Sequence, residues 1–212
     1  MDQHRKALFA VAAGVALLAA PGAQAHPHIL ANLSADVSRS ADDRTALRFV
    51  WKMDVGFTAY TMAEQKIMQF DAATLARLAK TQSEALAEFG HFSKVSVNGK
   101  PGTGAVSDPA MTLTPEGTLA FGFTLTVDHA GETLKTLDAE VFDANFFAYF
   151  SLDPKAPVKL DAALAGCRAD ASGPAMINLK ETRSVPKAFW AALDGSVSDQ
   201  QKFVNRIRID CE

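Results

Sequence analysis

Apolar residues recur at every second position, mostly with more polar neighbours between them, along Ile29, Ala31, Leu33, Ala35 and Val37, then along Leu47, Phe49 and Trp51, and again along Phe121, Phe123, Leu125 and Val127. A period of two puts every apolar side chain on one face of a strand, whereas a helix would scatter them around its axis. These runs commit the chain to sheet with one face buried. The charged stretch Arg39 to Arg44 between the first two runs predicts a hairpin, with Asp42-Asp43 on its solvated turn. Val95-Ser96-Val97 leads into Asn98-Gly99, a dipeptide suited to the tight turns that need positive φ. Pro115-Glu116-Gly117 separates Met111–Thr114 from the Phe121 run as another turn.

Further along, Leu137 to Leu152 is rich in β-formers and Phe and is expected to bend near Asp143-Ala144-Asn145. Val158-Lys159-Leu160 to Cys167 reads as a further strand region, residues 171–184 as loop, and Ile207 to Cys211 as a closing strand. Helical spacing is clearest after Asp71, an N-cap residue type, where Leu75, Leu78, Gln82, Leu86 and Phe89 form a stripe that ends at Gly90. Phe57 to Gln69 also suits a helix, and Pro186–Leu193 and Ser198–Val204 suit short ones. About eight strands with three or four inserted helices predict an α+β fold around a mainly antiparallel sheet, either a closed sandwich or an open sheet.

The first 25 residues read as an address. Arg5 and Lys6 precede the uncharged apolar run Ala7 to Ala20, then Pro21-Gly22, then Ala23-Gln24-Ala25. That order is the pattern of a cleaved secretory signal peptide. The run falls short of the roughly twenty residues that span a bilayer. The expected organisation is therefore a signal peptide, 1–25, and a single periplasmic domain, 26–212, with no transmembrane span. Cleavage after Ala25 leaves 187 residues at a formal −4 and four histidines. A hydrophobic content of 48% excludes a disordered chain, and the lack of basic excess argues against a nucleic-acid partner.

Export implies an oxidising compartment, so Cys167 and Cys211 are read as one structural disulfide. It would close 45 residues, counted from Cys167 through Cys211, and be worth about 4 kcal/mol in the chain-entropy picture. No GxSxG elbow, HExxH, P-loop or GxGxxG is present, and Gly102-Thr103-Gly104 reads as a turn. The chain is not read as an enzyme.

The informative chemistry is His26-Pro27-His28. If cleavage follows Ala25, His26 offers its α-amine and ring Nδ1 to one ion, and His28 adds a third nitrogen. Such ligands suit copper, nickel and zinc over calcium or magnesium. A free amine with pKa near 8 is easily freed for a metal. Pro27 has no N–H to deprotonate, which removes the square-planar site that a third-position His otherwise builds with backbone amides. The alternative is a merely polar start to the first strand. A copper histidine-brace oxidoreductase would need a distant His, His91 or His129, in place of His28. His91 is expected in a solvent-facing loop and His129 in a turn. A metal-free envelope interaction module is the other alternative.

The His-Pro-His start after a signal resembles an exported bacterial family known as domain of unknown function 1007. The stretches Trp51-Lys52-Met53-Asp54, Val141-Phe142-Asp143-Ala144-Asn145-Phe146-Phe147, and Ile207-x-Ile209-x-Cys211 are similar to segments of that family. Members are described as periplasmic components of uncharacterised ABC-type transport systems, often encoded beside nickel, cobalt or zinc transporters. The resemblance implies a metal-ion partner and an inner-membrane metal transporter. Asp54 and Asp143 are then expected as further ligands or as carboxylates that accept an imidazole N–H. Turn capping is the alternative for each. Many members carry an acidic calcium-type loop before the main helix. Met68 to Ala73 here holds one carboxylate and does not supply it.

Overall fold

A computed structural model describes residues 29–39, 42, 44–102, 104–129, 131–176, 178–180 and 200–212. Within them eleven strands and two α-helices follow one another. They are β1 (Ile29–Arg39), β2 (Thr45–Met53), α1 (Val55–Glu64), α2 (Ala72–Ala87), β3 (Ser93–Val97), β4 (Lys100–Pro101), β5 (Gly104–Leu113), β6 (Leu119–Val127), β7 (Thr136–Val141), β8 (Ala148–Leu152), β9 (Val158–Leu160), β10 (Cys167–Ser172) and β11 (Asn205–Cys211). The α+β class holds, and the strands divide between two sheets. One runs β5-β6-β2-β1-β8, with β9 sharing the same edge of β1, and the other runs β10-β11-β7-β3-β4. Pairing is antiparallel except where β8 and β9 run parallel to β1.

The alternation seen in the sequence is the alternation of burial. Ala31, Leu33, Ala35 and Val37 of β1, and Leu47, Phe49, Trp51 and Met53 of β2, are buried, while the residues between them in each strand are more exposed. Leu137, Ala139 and Val141 of β7, with Ile207 and Ile209 of β11, come from the second sheet into the same hydrophobic cluster. The two sheets therefore share one core, and a sandwich-like packing follows. Trp51 is its aromatic centre, with Phe150 at 4.7 Å and Phe123 at 5.2 Å between ring centroids. Helix α2 adds Leu78 and Leu86 of its predicted stripe to the cluster, with Leu75 packed against it and Ala79 joining them, while Phe89 at the stripe's end is exposed; Asp71 caps the helix by accepting the Thr74 N–H at 2.7 Å.

Three differences from the sequence reading are instructive. The strand count rises from about eight to eleven among the described residues, because β4 is too short to show a period, Leu137 to Leu152 holds two strands, and the region read as one strand over 158–167 ends at Leu160 with a separate strand, β10, starting at Cys167. Leu137 to Leu152 is not one bent strand but β7 and β8, which lie in different sheets. The bend at Asp143-Ala144-Asn145 is where the chain crosses between them. The helix expected over 57–69 runs from Val55 to Glu64 and stops before Lys66, which is left-handed at φ 52°.

Asn205 fastens the crossing. Its side-chain amide donates to the Phe150 carbonyl of β8 at 3.0 Å and to the Val141 carbonyl of β7 at 3.3 Å. At the other end of β11, Cys211 is bonded to Cys167 and stands opposite it in the β10–β11 register. The long edge strand β5 is broken between Ser107 and Ala110, where Asp108 takes φ 51° beside Pro109. A bulge and a proline blunt an exposed edge against pairing with another chain. No helix among the described residues is long and apolar enough to cross a membrane. The helix expected at Pro186–Leu193 lies outside them.

Candidate functional site

His26 and His28 lie outside the described residues. The two carboxylates expected to support them do not, and both stand at the head of β1. Asp54 is buried just after β2 and N-caps α1, where its Oδ1 accepts the Gly56 N–H at 2.7 Å and the Phe57 N–H at 3.1 Å. Its Oδ2 reaches back across the sheet to the Leu30 N–H at 3.0 Å. Asp143 is buried on the other side. Its Oδ1 accepts the Asn145 N–H and its Oδ2 the Ala148 N–H, each at 2.9 Å.

The strand register brings these carboxylates to one place. Ala148, the first residue of β8, is the pairing partner of Ile29, and Asp54 directly follows Met53, the partner of Ala31. The Ile29 N–H donates to the Phe147 carbonyl at 3.3 Å. The first two residues of β1 are thus held by Asp54 from the β2 side and by the Asp143 loop from the β8 side. Each aspartate performs the capping role that was the alternative to a ligand role. A carboxylate has about four acceptor sites. The hydrogen bonds above leave about one on Asp54 and about two on Asp143.

Two concavities adjoin this point. On the Asp143 side a cavity of about 310 Å³ is lined by Phe92, Phe142, Asp143, Asn145 and Gln201. On the Asp54 side a larger groove of about 790 Å³ is lined by Lys52, Val55, Asp153, Leu179 and Lys180 among others. Asp153, buried beside the groove, accepts Lys52 Nζ at 2.6 Å and the Lys155 N–H at 2.9 Å. Burial works to raise its carboxyl, and these donors more than offset that, leaving it below the ordinary carboxylate range. Sequence reasoning missed this pair, because Lys52 and Asp153 are joined only through the β1 register.

The other two histidines correct their expected settings. His91 is not solvent-facing. It is buried, its Nε2 lies 3.1 Å from the Ser83 hydroxyl of α2, and its ring is 5.0 Å from that of Phe123. Gly90, His91 and Phe92 take φ of 57°, 52° and 51°, one left-handed turn that swings the ring inward. Left-handed backbone is costly for residues with a Cβ, so tertiary packing holds it there. His129 follows β6 as expected of a loop residue but is buried, with Nε2 2.6 Å from the Thr45 hydroxyl. Its Nδ1 has no hydrogen-bond partner among the described residues. Nor, among the described residues, do three His, Cys, Asp or Glu side chains gather in one place that would hold a metal ion.

The family described as "protein of unknown function (DUF1007)" matches this chain over residues 11–211. No curated protein matches it.

Proposed function

The chain belongs to the DUF1007 family, and from that premise we propose that it is an exported, periplasmic transition-metal-binding accessory protein. It holds its ion through His26 and His28 and serves an inner-membrane transporter of nickel, cobalt, zinc or copper. The observation that carries the reading is the pair of buried carboxylates at the head of β1, Asp54 on the Leu30 N–H and Asp143 on the Ala148 N–H opposite Ile29. Chain connectivity keeps the His28 Cα about 4 Å from that of Ile29 and the His26 Cα within about 11 Å. A metal-bound imidazole characteristically donates its second N–H to such a carboxylate, which fixes its tautomer and orientation. Asp143 fits that role better than Asp54, because fewer backbone donors occupy it.

No observation favours the copper-brace alternative. His129 sits on Thr45, at the opposite end of β2 from Met53. That is roughly 26 Å along the strand, too far for it to share an ion with the residues just before β1. His91 is bonded to Ser83 and packed on Phe123.

Titration calorimetry of the exported chain with nickel, cobalt, zinc and copper tests the proposal. Binding of about one ion per chain, abolished by His26→Ala and weakened by Asp143→Asn, is the expected outcome. Equal affinity in wild type and His26→Ala overturns it. Mass spectrometry of the exported chain supplies the second arm, since in a chain retaining residues before His26 the His26 nitrogen is an amide and not an α-amine able to chelate.

A further inference from the structure

The chain holds two Asp-Pro bonds, Asp108-Pro109 and Asp153-Pro154, and the fold treats them differently. An aspartate carboxyl can close a five-membered ring on its own main-chain carbonyl carbon, an intramolecular attack with a high effective concentration. Proline makes the better leaving group, because its tertiary amide nitrogen, which carries no N–H, is more basic than an ordinary one.

At Asp153 the carboxylate is occupied. Its Oδ2 accepts Lys52 Nζ at 2.6 Å and its Oδ1 the Lys155 N–H at 2.9 Å, and the residue is buried. Asp108 stands in the opposite condition. It is exposed on the edge strand β5, its Oδ2 accepts the Ser107 hydroxyl at 2.7 Å, and its Oδ1 has no hydrogen bond among the described residues.

Two further features act on this bond. Asp108 takes φ 51°, left-handed backbone that is costly for a residue with a Cβ, and does so directly before a proline, where extended backbone is the norm. Arg48 Nη1 donates to the Asp108 carbonyl oxygen at 2.6 Å. Arg48 belongs to β2, and its guanidinium reaches β5 across β6, passing Thr124 Oγ1 at 3.5 Å. It lies where Gly122 has no side chain, since a Cβ there would stand 2.8 Å from Nη2. Blunting a sheet edge accounts for a bulge and a proline. It does not call for a guanidinium on the carbonyl between them.

We propose that the folded chain cleaves its own Asp108-Pro109 bond. The Asp108 carboxyl oxygen attacks the Asp108 carbonyl carbon, and Arg48 stabilises the negative charge that develops on the carbonyl oxygen. The C–N bond to Pro109 breaks, the carboxyl proton passes to the proline nitrogen, and a cyclic anhydride of Asp108 remains. One water opens the anhydride, leaving Asp108 with a free α-carboxyl and Pro109 as a new N-terminus. Gly104–Ser107 and Ala110–Leu113 pair with β6 on either side, so the bond lies outside the ladder and both halves of β5 keep their partners.

The proposal does not depend on metal binding. The exported chain, kept with protease inhibitors and chelator in mildly acidic buffer, is followed by mass spectrometry after denaturation. Fragments ending at Asp108 and beginning at Pro109 are expected to accumulate over days, about tenfold or more faster than cleavage at Asp153-Pro154 in the same sample. They are also expected to form faster than in chain held unfolded by urea. Arg48→Gln is expected to slow the cleavage about tenfold or more, since a donor to a developing oxyanion is commonly worth at least that. Asp108→Gly suits the left-handed backbone, lacks the nucleophile, and is expected to abolish it. Thermal melts report whether the variants remain folded, and the comparison of the two bonds within the wild type needs no variant. The proposal is overturned by equal rates at the two bonds in the folded chain, or by a rate at Asp108-Pro109 no greater folded than unfolded. Cleavage at the wild-type rate in folded Arg48→Gln or in Asp108→Gly overturns it as well.

Discussion

The Asp54 carboxylate accepts the Leu30 N–H at 3.0 Å and, through its other oxygen, caps the first turn of α1. One side chain thus ties the start of the first strand to the start of the first helix, 24 residues away in sequence.

Asp54→Ala removes three acceptor contacts at once. An N-cap is worth about 1 kcal/mol and a buried N–H left without a partner costs about 1–3 kcal/mol. A loss of about 2–4 kcal/mol is expected in urea unfolding. Asp54→Asn keeps one capping oxygen and should lose about half as much.

Asn205 places a donating amide between the Phe150 and Val141 carbonyls. Asn205→Asp keeps the shape but turns a donor into an acceptor facing two acceptors. It should destabilise more than Asn205→Ala, by about 2 kcal/mol or more over the alanine variant at pH 7, because a buried charge without a donor is costlier than a missing contact. Part of that difference should vanish at low pH, when the carboxyl regains a proton to donate. Denaturant midpoints at both pH values check this.

Reducing the Cys167–Cys211 bond frees 45 residues in the unfolded chain. Stability is expected to fall by about 4 kcal/mol in the chain-entropy picture, with the double serine variant matching the reduced wild type. Thermal melts with and without reductant give the comparison.

His91 carries a pH signature. Burial lowers its pKa below the ordinary histidine value, with Ser83 opposing in part. The unfolded chain then binds more protons than the folded one in the window just below the unfolded value of about 6.5, so stability rises with pH there. This contribution is complete above about pH 6.5 and is lost as pH falls from there through the folded pKa. His91→Asn suits the left-handed backbone and does not titrate. It should flatten the slope of stability between pH 6.5 and 5, whatever its effect on absolute stability. Equal slopes in both proteins would show that His91 does not carry it.

Period-two burial was legible in the chain itself, because alternation follows from strand geometry alone. So were the Asp71 cap, the α2 stripe and the Asn98-Gly99 turn, each a local match of residue type to backbone. The family resemblance was carried by short motifs of the same kind. The disulfide pairing followed from having only two cysteines. What local pattern left open was every relation between segments distant in sequence. That β7 and β8 leave Asp143 in different sheets, that Lys52 meets Asp153, and that Asp54 and Asp143 flank the same two residues of β1 all depend on strand register. His91 shows the limit most clearly. A glycine followed by a polar residue predicts an exposed loop, yet contacts with Ser83 and Phe123 turn the ring into the core. Tertiary packing can outweigh a local preference of about 1–2 kcal/mol per residue, and no window of sequence contains its partners.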